Sequence, residues 1–311
     1  MKRTTKAALA VGIPTAAALQ FYDYAFGRSA PAWIRVIRRH IPGGTHSGRY
    51  YLQRDASTAL AGATAHQTFS LRSERGNAMQ AYLWQAGEKP ARTVAFLIHG
   101  FRSSAKEAVG PFLSCYRSRG IDVFACDLEA AGASEGRYFS YDYFESRVCL
   151  QWLEFLIGRY GSDVRILLHG FSMGAATVLH LSDRCPPQVR FLVSDCGYTS
   201  GPEILLYQCE GHPLPCSLLC AMNRLISGFD LKETDVRPHL RRTDKPVLFV
   251  HGTDDPTVPY AMGRELYDLC PTPKAMLTVE GGRHVESIFR AGAAYEAHLD
   301  DFLARFASPE S

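Results

Sequence analysis

The sequence predicts an α/β fold, with a doubly wound, mostly parallel sheet and a helical cap insertion. Short apolar runs alternate along the chain with longer segments of helical periodicity, which is the pattern of repeated strand–helix–strand units. The runs are apolar throughout rather than at every second residue, as expected for parallel strands covered on both faces. With 311 residues and 46% hydrophobic content, the chain can form one large domain with a substantial core.

The sheet is expected to begin with an antiparallel hairpin, because strand-like runs at 68–72 and 78–84 flank the turn dipeptide Gly76-Asn77. Further strands are predicted at 93–99, 121–127, 164–170, 189–195, 246–252 and 275–281. Helices are predicted at 106–119, 141–160, 173–182, 262–269 and 291–306. The segment 198–242, rich in Leu, Cys and Pro, interrupts the alternation and predicts a mostly helical insertion over the strand ends.

An N-terminal hydrophobic anchor or signal-like segment, a connecting segment and the main domain are predicted at 1–28, 29–66 and 67–308. Lys2, Arg3 and Lys6 precede an apolar run at 7–19, the order of a charged region followed by a hydrophobic one. We expect membrane association through this segment; the alternative is a cytoplasmic protein with a docked N-terminal helix. The side of the membrane stays open. The positive-inside rule would place a spanning protein's domain outside the cytoplasm, whereas nine cysteines favour a reducing compartment.

Charge and motif content argue against nucleic-acid and nucleotide partners. The net charge is only +3, and basic residues beyond the N-terminus are scattered. No phosphate-binding glycine motif occurs where a strand meets a helix. Cys209, His212, Cys216 and Cys220 have spacings that zinc could use, but small apolar core residues or a disulfide are the preferred interpretation. We therefore expect neither a cofactor nor a metal.

The strongest chemical signal is Gly170-Phe171-Ser172-Met173-Gly174, which lies between a predicted strand and a predicted helix. A serine nucleophile needs an exposed hydroxyl on a tight strand-to-helix turn, and flanking glycines leave room for that turn. The motif predicts Ser172 as a nucleophile. A glycine-rich turn with an incidental serine is the alternative, which the strand and helix around it make less attractive.

A serine enzyme also needs donors for the oxyanion that develops on the substrate. His99-Gly100-Phe101-Arg102 follows an early strand, where a turn can supply one backbone N–H, and the residue after the nucleophile supplies another. The predicted donors are the N–H groups of Phe101 and Met173. The alternative is that His99 and Gly100 only terminate a strand.

The remaining catalytic groups are predicted on two loops near the C-terminus. Asp254 and Asp255 follow the strand at 246–252, and either carboxylate could orient an imidazole. His284 follows the last strand on a glycine-containing loop and is the predicted base. The order Ser, Asp, His along the chain is that of a hydrolase built on a parallel sheet.

Between about residues 68 and 306 the chain resembles the α/β-hydrolase superfamily, and specifically bacterial serine aminopeptidase-like and BEM46-like hydrolases. The segments that carry the resemblance are HGF at 99–101, GFSMG at 170–174, SDCGYTS at 194–200, HGTDDPTVP at 251–259 and GGRH at 281–284. The resemblance implies that Asp255 is the acid. The family pattern D-x-R-G-H-G-x-S is incomplete at 127–134, where Glu129 and Ala131 replace the Arg and the His, and this puts substrate preference in doubt.

The expected activity is hydrolysis of a small-molecule acyl ester by a carboxylesterase. A serine aminopeptidase-like peptidase is one alternative and would need Glu203 or Glu210 to bind a substrate amine; a catalytically silent binding protein is another. An apolar roof over the serine is expected from the cap, unless these residues only pack it onto the core: Tyr207, Leu214, Leu218, Leu219, Met222 and Ile226.

Overall fold

An eight-stranded sheet organises the chain, which is seen here in a computed structural model that describes residues 16–29 and 48–308. The strands are β1 Gln67–Arg72, β2 Ala78–Trp84, β3 Thr93–Ile98, β4 Asp122–Cys126, β5 Arg165–Phe171, β6 Val189–Asp195, β7 Val247–Gly252 and β8 Lys274–Val279. Their spatial order is β1-β2-β4-β3-β5-β6-β7-β8. The predicted strands are all present, with ends that differ by no more than two residues.

Only the first hairpin departs from a parallel arrangement. β1 and β2 pair antiparallel around Gly76, whose φ of 81° is the conformation that glycine adopts readily, and β2 pairs antiparallel with β4. The pairs from β4 through β8 are parallel. The carboxyl ends of these strands therefore meet at one edge of the sheet, where ligands bind in open α/β folds.

Hydrophobic cores lie on both faces of the sheet. Side chains of β3 alternate between them: Val94, Phe96 and Ile98 pack into one core, and Ala95 and Leu97 into the other. This double coverage explains why β3 and its neighbours in the centre of the sheet are apolar at successive positions.

Helices supply the covering layers. They are α1 Gly48–Ala63, α2 Ala105–Val109, α3 Leu113–Ser118, α4 Tyr143–Tyr160, α5 Met173–His180, α6 Gly201–Gln208, α7 Pro213–Ile226, α8 Arg237–Leu240, α9 Tyr260–Leu269 and α10 Ser287–Phe306. Residues of α4, α5 and α9 contribute to one core, and those of α1, α2, α3 and α10 to the other. The predicted insertion at 198–242 forms α6, α7, a short 3₁₀ turn and α8, so its helical character is confirmed.

The single helix predicted at 106–119 is wrong, because the chain forms α2, a 3₁₀ turn at Gly110–Phe112 and then α3. Pro111 lacks the N–H that a continuous helix needs. Gly110 also packs against the backbone of α1, where an added Cβ would lie 2.7 Å from the carbonyl carbon of Ser57. The helical periodicity was real, but it could not reveal this close contact.

The predicted connecting segment at 29–66 contains the helix α1, which the sequence analysis did not identify. Ala61 of α1 is fully buried, and its carbonyl accepts a 3.0 Å hydrogen bond from Nε1 of the buried Trp84. Leu52 and Leu60 remain exposed, so α1 has no continuous apolar stripe. Its many alanines and small residues were the available signal of helix propensity.

The predicted N-terminal anchor is only partly visible, since residues 1–15 lie outside the described part of the chain. Residues 16–26 are helical, and Tyr22 and Phe26 are fully buried in the same core as α4 and α5. Among the described residues, no helix combines the length and the apolar character needed to cross a bilayer. The described end of the predicted anchor is therefore packed against the main domain.

Candidate active site

Ser172 occupies a strained turn between β5 and α5. Its φ of 55° and ψ of −116° lie outside the regions that residues with a side chain favour. A Cβ at Gly170 would lie 2.1 Å from the Gly174 carbonyl oxygen, and a Cβ at Gly174 would lie 2.1 Å from the Ile98 carbonyl oxygen. Both flanking positions thus require glycine, and the turn holds the serine at the carboxyl edge of the sheet.

The structure brings the predicted nucleophile, base and acid into one hydrogen-bonded row. His284 Nε2 lies 2.9 Å from Ser172 Oγ, and His284 Nδ1 lies 2.7 Å from Asp255 Oδ2. Asp255 and His284 are both buried. A neutral imidazole that donates from Nδ1 to the carboxylate leaves Nε2 free to accept the serine proton.

Asp255, rather than Asp254, is the carboxylate at His284. Its Oδ1 accepts hydrogen bonds from the backbone N–H groups of Thr257 at 2.8 Å and Val258 at 2.9 Å. Burial alone would raise the pKa of Asp255, but the positive charge that His284 can carry and the hydrogen bonds from His251, His284 and the Val258 N–H outweigh it and lower the pKa below its ordinary range. Asp254 is exposed and accepts from Thr253 Oγ1. Asp255 is therefore held ionised and correctly oriented.

The two predicted oxyanion donors flank the serine. Met173 is the first residue of α5, so its N–H belongs to the free amino end of the helix. Phe101 follows Gly100, where an added Cβ would lie 3.2 Å from Ser172 Cβ and 3.7 Å from Ser172 Oγ. The loop after β3 therefore lies directly against Ser172.

Three other buried histidines near the strand ends have structural partners. His99 Nε2 accepts from Leu128 N at 2.9 Å, so His99 Nδ1 donates to the Gly100 carbonyl. His251 Nε2 donates to the Val258 carbonyl at 3.0 Å and lies 3.5 Å from Asp255 Oδ2. His169 lies between two tyrosine hydroxyls. Their interpretation as strand-end residues agrees with these contacts, and His251 also supports the loop that carries Asp255.

Asp195 was not predicted from the sequence as a site residue. It contacts both the turn that carries Ser172 and the helix that follows His284. Its backbone carbonyl accepts from Ser172 N at 2.9 Å, and its carboxylate accepts from Ser287 Oγ at 3.2 Å and Tyr295 Oη at 3.0 Å. Burial raises its pKa to about 6, partly offset by the bond from Tyr295. Its position at the end of β6 was the available signal. Asp195 thus ties the nucleophile turn to the helix that follows His284.

Two cavities meet at Ser172 and His284. The smaller, of about 190 Å³, lies beside α1 and α2 and has polar groups from Arg54, Ser103 and Glu107. The larger, of about 1210 Å³, lies under the cap. It is lined on one side by Ile204, Leu205 and Leu219 of the cap and on the other by Phe21, Tyr24 and Ala25 of the N-terminal segment. Ser172 and His284 thus line two adjoining spaces of different size.

The expected apolar roof is only partly formed by the residues that were named for it. Tyr207 and Leu219 line the larger cavity, whereas Leu214 is 82% exposed and Leu218 and Ile226 also point substantially to solvent. The wall formed by Phe21, Tyr24 and Ala25 was not predicted, because the sequence of this stretch indicated a membrane anchor. The signal available was the cluster of aromatic residues at 21–26, which can pack into a protein core.

Within the described residues, one group of side chains could hold a metal ion: Cys196, Asp255 and His284. Two of them already form the row with Ser172, and burial raises the pKa of the Cys196 thiol well above its ordinary value, which disfavours the thiolate that binds metals. The described Cys and His residues of the cap form no such group, and all nine cysteines are free thiols. Cys216 is buried in the core, and Cys209 and Cys220 pack against it, as the interpretation of small apolar residues predicts.

Sequence comparisons give distant similarities. A family model described as TAP-like protein matches residues 219–311. The uncharacterized protein YqkD of Bacillus subtilis is 27% identical over 198 residues, which is 62% of this chain. The match spans 65% of the length of YqkD, slightly less than two thirds of that relative.

Structural comparisons are broader. The esterase Pf2001 of Pyrococcus furiosus superimposes with a TM-score of 0.63 at 19% identity, over 79% of this chain and 93% of the esterase. A puromycin-hydrolyzing peptidase of Mycobacterium tuberculosis also gives 0.63 at 19% identity, over 79% of this chain and 40% of the peptidase. At this identity the comparisons show a common fold, with the mostly parallel sheet and surrounding helices described above.

Proposed function

We propose that this chain is a serine hydrolase of the α/β-hydrolase superfamily and that it cleaves carboxylic esters through an acyl-enzyme intermediate. One observation carries the proposal: the row formed by Ser172 Oγ, His284 and Asp255, with separations of 2.9 and 2.7 Å. Fold alone would not support it, since the same fold hosts many activities.

In the first half of the proposed reaction, Ser172 Oγ attacks the ester carbonyl carbon while His284 Nε2 takes its proton. Asp255 stabilises the imidazolium that forms. The N–H groups of Phe101 and Met173 donate to the oxygen that becomes negatively charged. The tetrahedral intermediate then collapses, and His284 returns the proton to the departing alcohol.

In the second half, water takes the place of the alcohol. His284 removes a proton from the water as its oxygen attacks the acyl carbon, and then donates that proton back to Ser172 Oγ as the acid is released. Protein groups supply every proton transfer in this sequence, and no cofactor enters it.

The two cavities favour an ester whose acyl group is larger and more apolar than its alcohol group. The larger, with its apolar walls from the cap and the N-terminal segment, suits the acyl group. The smaller, with Arg54, Ser103 and Glu107, suits a small polar alcohol. Because both open onto Ser172, the scissile bond can lie between them.

The structure disfavours one route to the alternative peptidase function. Glu203 was a candidate for binding a substrate amine, but its carboxylate accepts from Arg237 at 2.7 Å and from the Thr199 hydroxyl. An amine would therefore compete with an existing ion pair. Glu210 also lines the larger cavity but is exposed, where attraction for an amine is weak.

The test uses the full-length chain with p-nitrophenyl esters from acetate to decanoate, an aminoacyl p-nitroanilide and a fluorophosphonate probe. We expect ester turnover and probe labelling, both abolished in Ser172→Ala. Ser114→Ala is the matched control, because Ser114 is an exposed serine on α3 away from the cavities.

Each other outcome has a distinct meaning. Anilide turnover well above ester turnover would favour the peptidase. Folded protein with neither labelling nor turnover would contradict the hydrolase proposal and favour a binding protein of the same fold.

A further inference from the structure

The larger cavity owes one wall to a part of the chain that precedes the hydrolase domain. Phe21, Tyr24 and Ala25 of the N-terminal helical segment, residues 16–26, face Ile204, Leu205 and Leu219 across it. Ala25 is buried and Phe21 packs against the core. The apolar lining of the cavity would lose this side if the segment were removed or displaced.

Arg102 holds the end of this segment next to the nucleophile. Its Nε donates to the Gly27 carbonyl at 2.9 Å, and its Nη2 donates to the Tyr24 carbonyl at 2.8 Å and the Asp23 carbonyl at 3.2 Å. These carbonyls lie in and just after the last turn of the helical segment, where the partial negative charge of the helix end attracts a cation. Arg102 directly follows Phe101, so one loop carries both the proposed oxyanion donor and the arginine that binds the N-terminal segment.

Further contacts fix the segment on two more sides. Tyr141 Oη, at the cavity, donates to the Ala25 carbonyl at 3.0 Å. Tyr22 Oη donates to Asn223 Oδ1 at 3.0 Å and also contacts Ser227, which ties the segment to the cap helix α7. Phe139 N donates to the Phe26 carbonyl at 2.8 Å. The segment is thus bonded to the catalytic loop, the cap and the core together.

We propose that this cavity is a binding site for a long acyl chain, that the N-terminal segment sets the chain length it accepts, and that Arg102 is the positioning residue that holds this wall in place. The proposal rests on the hydrolase function proposed above and names its substrate class: esters of medium- or long-chain fatty acids. It also means that the acyl-chain site contains residues from both sides of the segment boundary predicted at residue 28.

The size and chemistry of the cavity support an acyl chain. Its volume of about 1210 Å³ exceeds the range of about 300–1000 Å³ that holds drug-sized ligands. Each methylene buried against apolar walls contributes about 0.8 kcal/mol, which corresponds to about a fourfold gain in kcat/KM. Of the polar side chains in the lining, Gln208, Glu210 and His212 are exposed, whereas Arg102 and Glu203 are bonded to other protein groups.

The first experiment changes the wall and measures chain-length preference. In the full-length protein, Phe21→Trp fills part of the cavity, so the ratio of kcat/KM for decanoate over butyrate esters is expected to fall about tenfold or more. Leu19→Trp is the matched control, because Leu19 lies on the same helical segment, is 46% exposed and does not line the cavity. Equal ratios in wild type, Phe21→Trp and Leu19→Trp would overturn the proposal.

The second experiment tests whether Arg102 holds the N-terminal segment in place. Arg102→Gln is expected to lower kcat/KM about tenfold for decanoate esters, mainly through KM, and less than about threefold for butyrate esters. Arg102→Lys should recover much of the loss, because an ammonium group can still donate to several carbonyls. A loss that is equal for both chain lengths would contradict the positioning role.

A binding measurement separates this proposal from the proposed function. Calorimetric titration of Ser172→Ala with laurate, which is a product and needs no turnover, is expected to show binding that Phe21→Trp weakens in the same background. Absence of laurate binding would overturn the acyl-chain site even if short esters are hydrolysed. Laurate binding without ester turnover in the wild type would contradict the hydrolase function alone.

Discussion

At the scale of single residues, the candidate site depends on which of two adjacent carboxylates reaches His284. The backbone between Asp254 and Asp255 turns so that one side chain enters the protein and the other faces solvent. Two backbone N–H groups and two histidines surround the inner carboxylate. A chemically identical neighbour therefore provides an internal control for the role of Asp255.

We expect Asp255→Asn to lower kcat for esters by about three to four orders of magnitude, because an amide cannot stabilise the imidazolium and can favour the wrong tautomer of His284. Asp254→Asn should leave kcat within about twofold of the wild type. Steady-state kinetics of both variants on butyrate esters provide the measurement. Similar losses in the two variants would show that Asp255 has no special role.

At the scale of elements, the nucleophile turn is built by close approach of β3, β5 and α5. Gly174 of α5 packs against the end of β3, where the Ile98 carbonyl leaves no space for a side chain. Gly158 of α4, by contrast, has no atom within 4 Å of an added Cβ. The two helices cover the same face of the sheet, but their glycines differ: Gly174 has no space for a side chain, whereas Gly158 has.

We expect Gly158→Ala to raise the free energy of unfolding by about 0.5–1 kcal/mol, because alanine favours the helix and restricts the unfolded chain. Gly174→Ala should lower it by about 3 kcal/mol or more through the clash with backbone. Urea unfolding of both variants tests the pair. A neutral or stabilising Gly174→Ala would refute the explanation given for the second glycine of the motif.

At the scale of the whole molecule, a buried polar chain links four elements behind the active site. Tyr116 of α3 donates to His169 of β5, His169 donates to Tyr295 of α10, and Tyr295 donates to Asp195 of β6, with distances of 2.8 to 3.0 Å. Burial lowers the pKa of His169 to about 3. The folded protein therefore keeps this imidazole neutral, while the unfolded chain takes up a proton near its ordinary value of about 6.5.

Acidification is expected to lower the free energy of unfolding, because the unfolded chain binds more protons than the folded protein. Between pH 6 and 5 the unfolded state binds nearly one more proton at His169 than the folded state does, so stability falls with acidification by about 1 kcal/mol per pH unit from this residue. His169→Gln should flatten the slope of unfolding free energy against pH by that amount. The exposed His212 provides the control as His212→Gln, with an unchanged slope. A wild-type slope retained in His169→Gln would contradict the assignment.

Local sequence was sufficient to predict the strands, the turn that carries Ser172, and Ser172 and His284 as candidate site residues. Each of these depends on signals within a few residues: apolar runs, glycines at positions without room for a Cβ, and acidic or imidazole groups just beyond strand ends. The order of the strands could be anticipated only in outline, and the choice between Asp254 and Asp255 rested on a family resemblance.

Tertiary structure alone decided what surrounds those groups. The helix α1, the break at Gly110, the support from Asp195 and the wall formed by residues 16–26 all depend on contacts between segments far apart in the chain. Such contacts leave little periodic trace, because one buried tyrosine or one arginine bonded to three carbonyls is enough to dock a segment. The sequence by itself therefore predicted which residues form the candidate site around Ser172, whereas the size and lining of the adjoining cavities were determined by long-range packing.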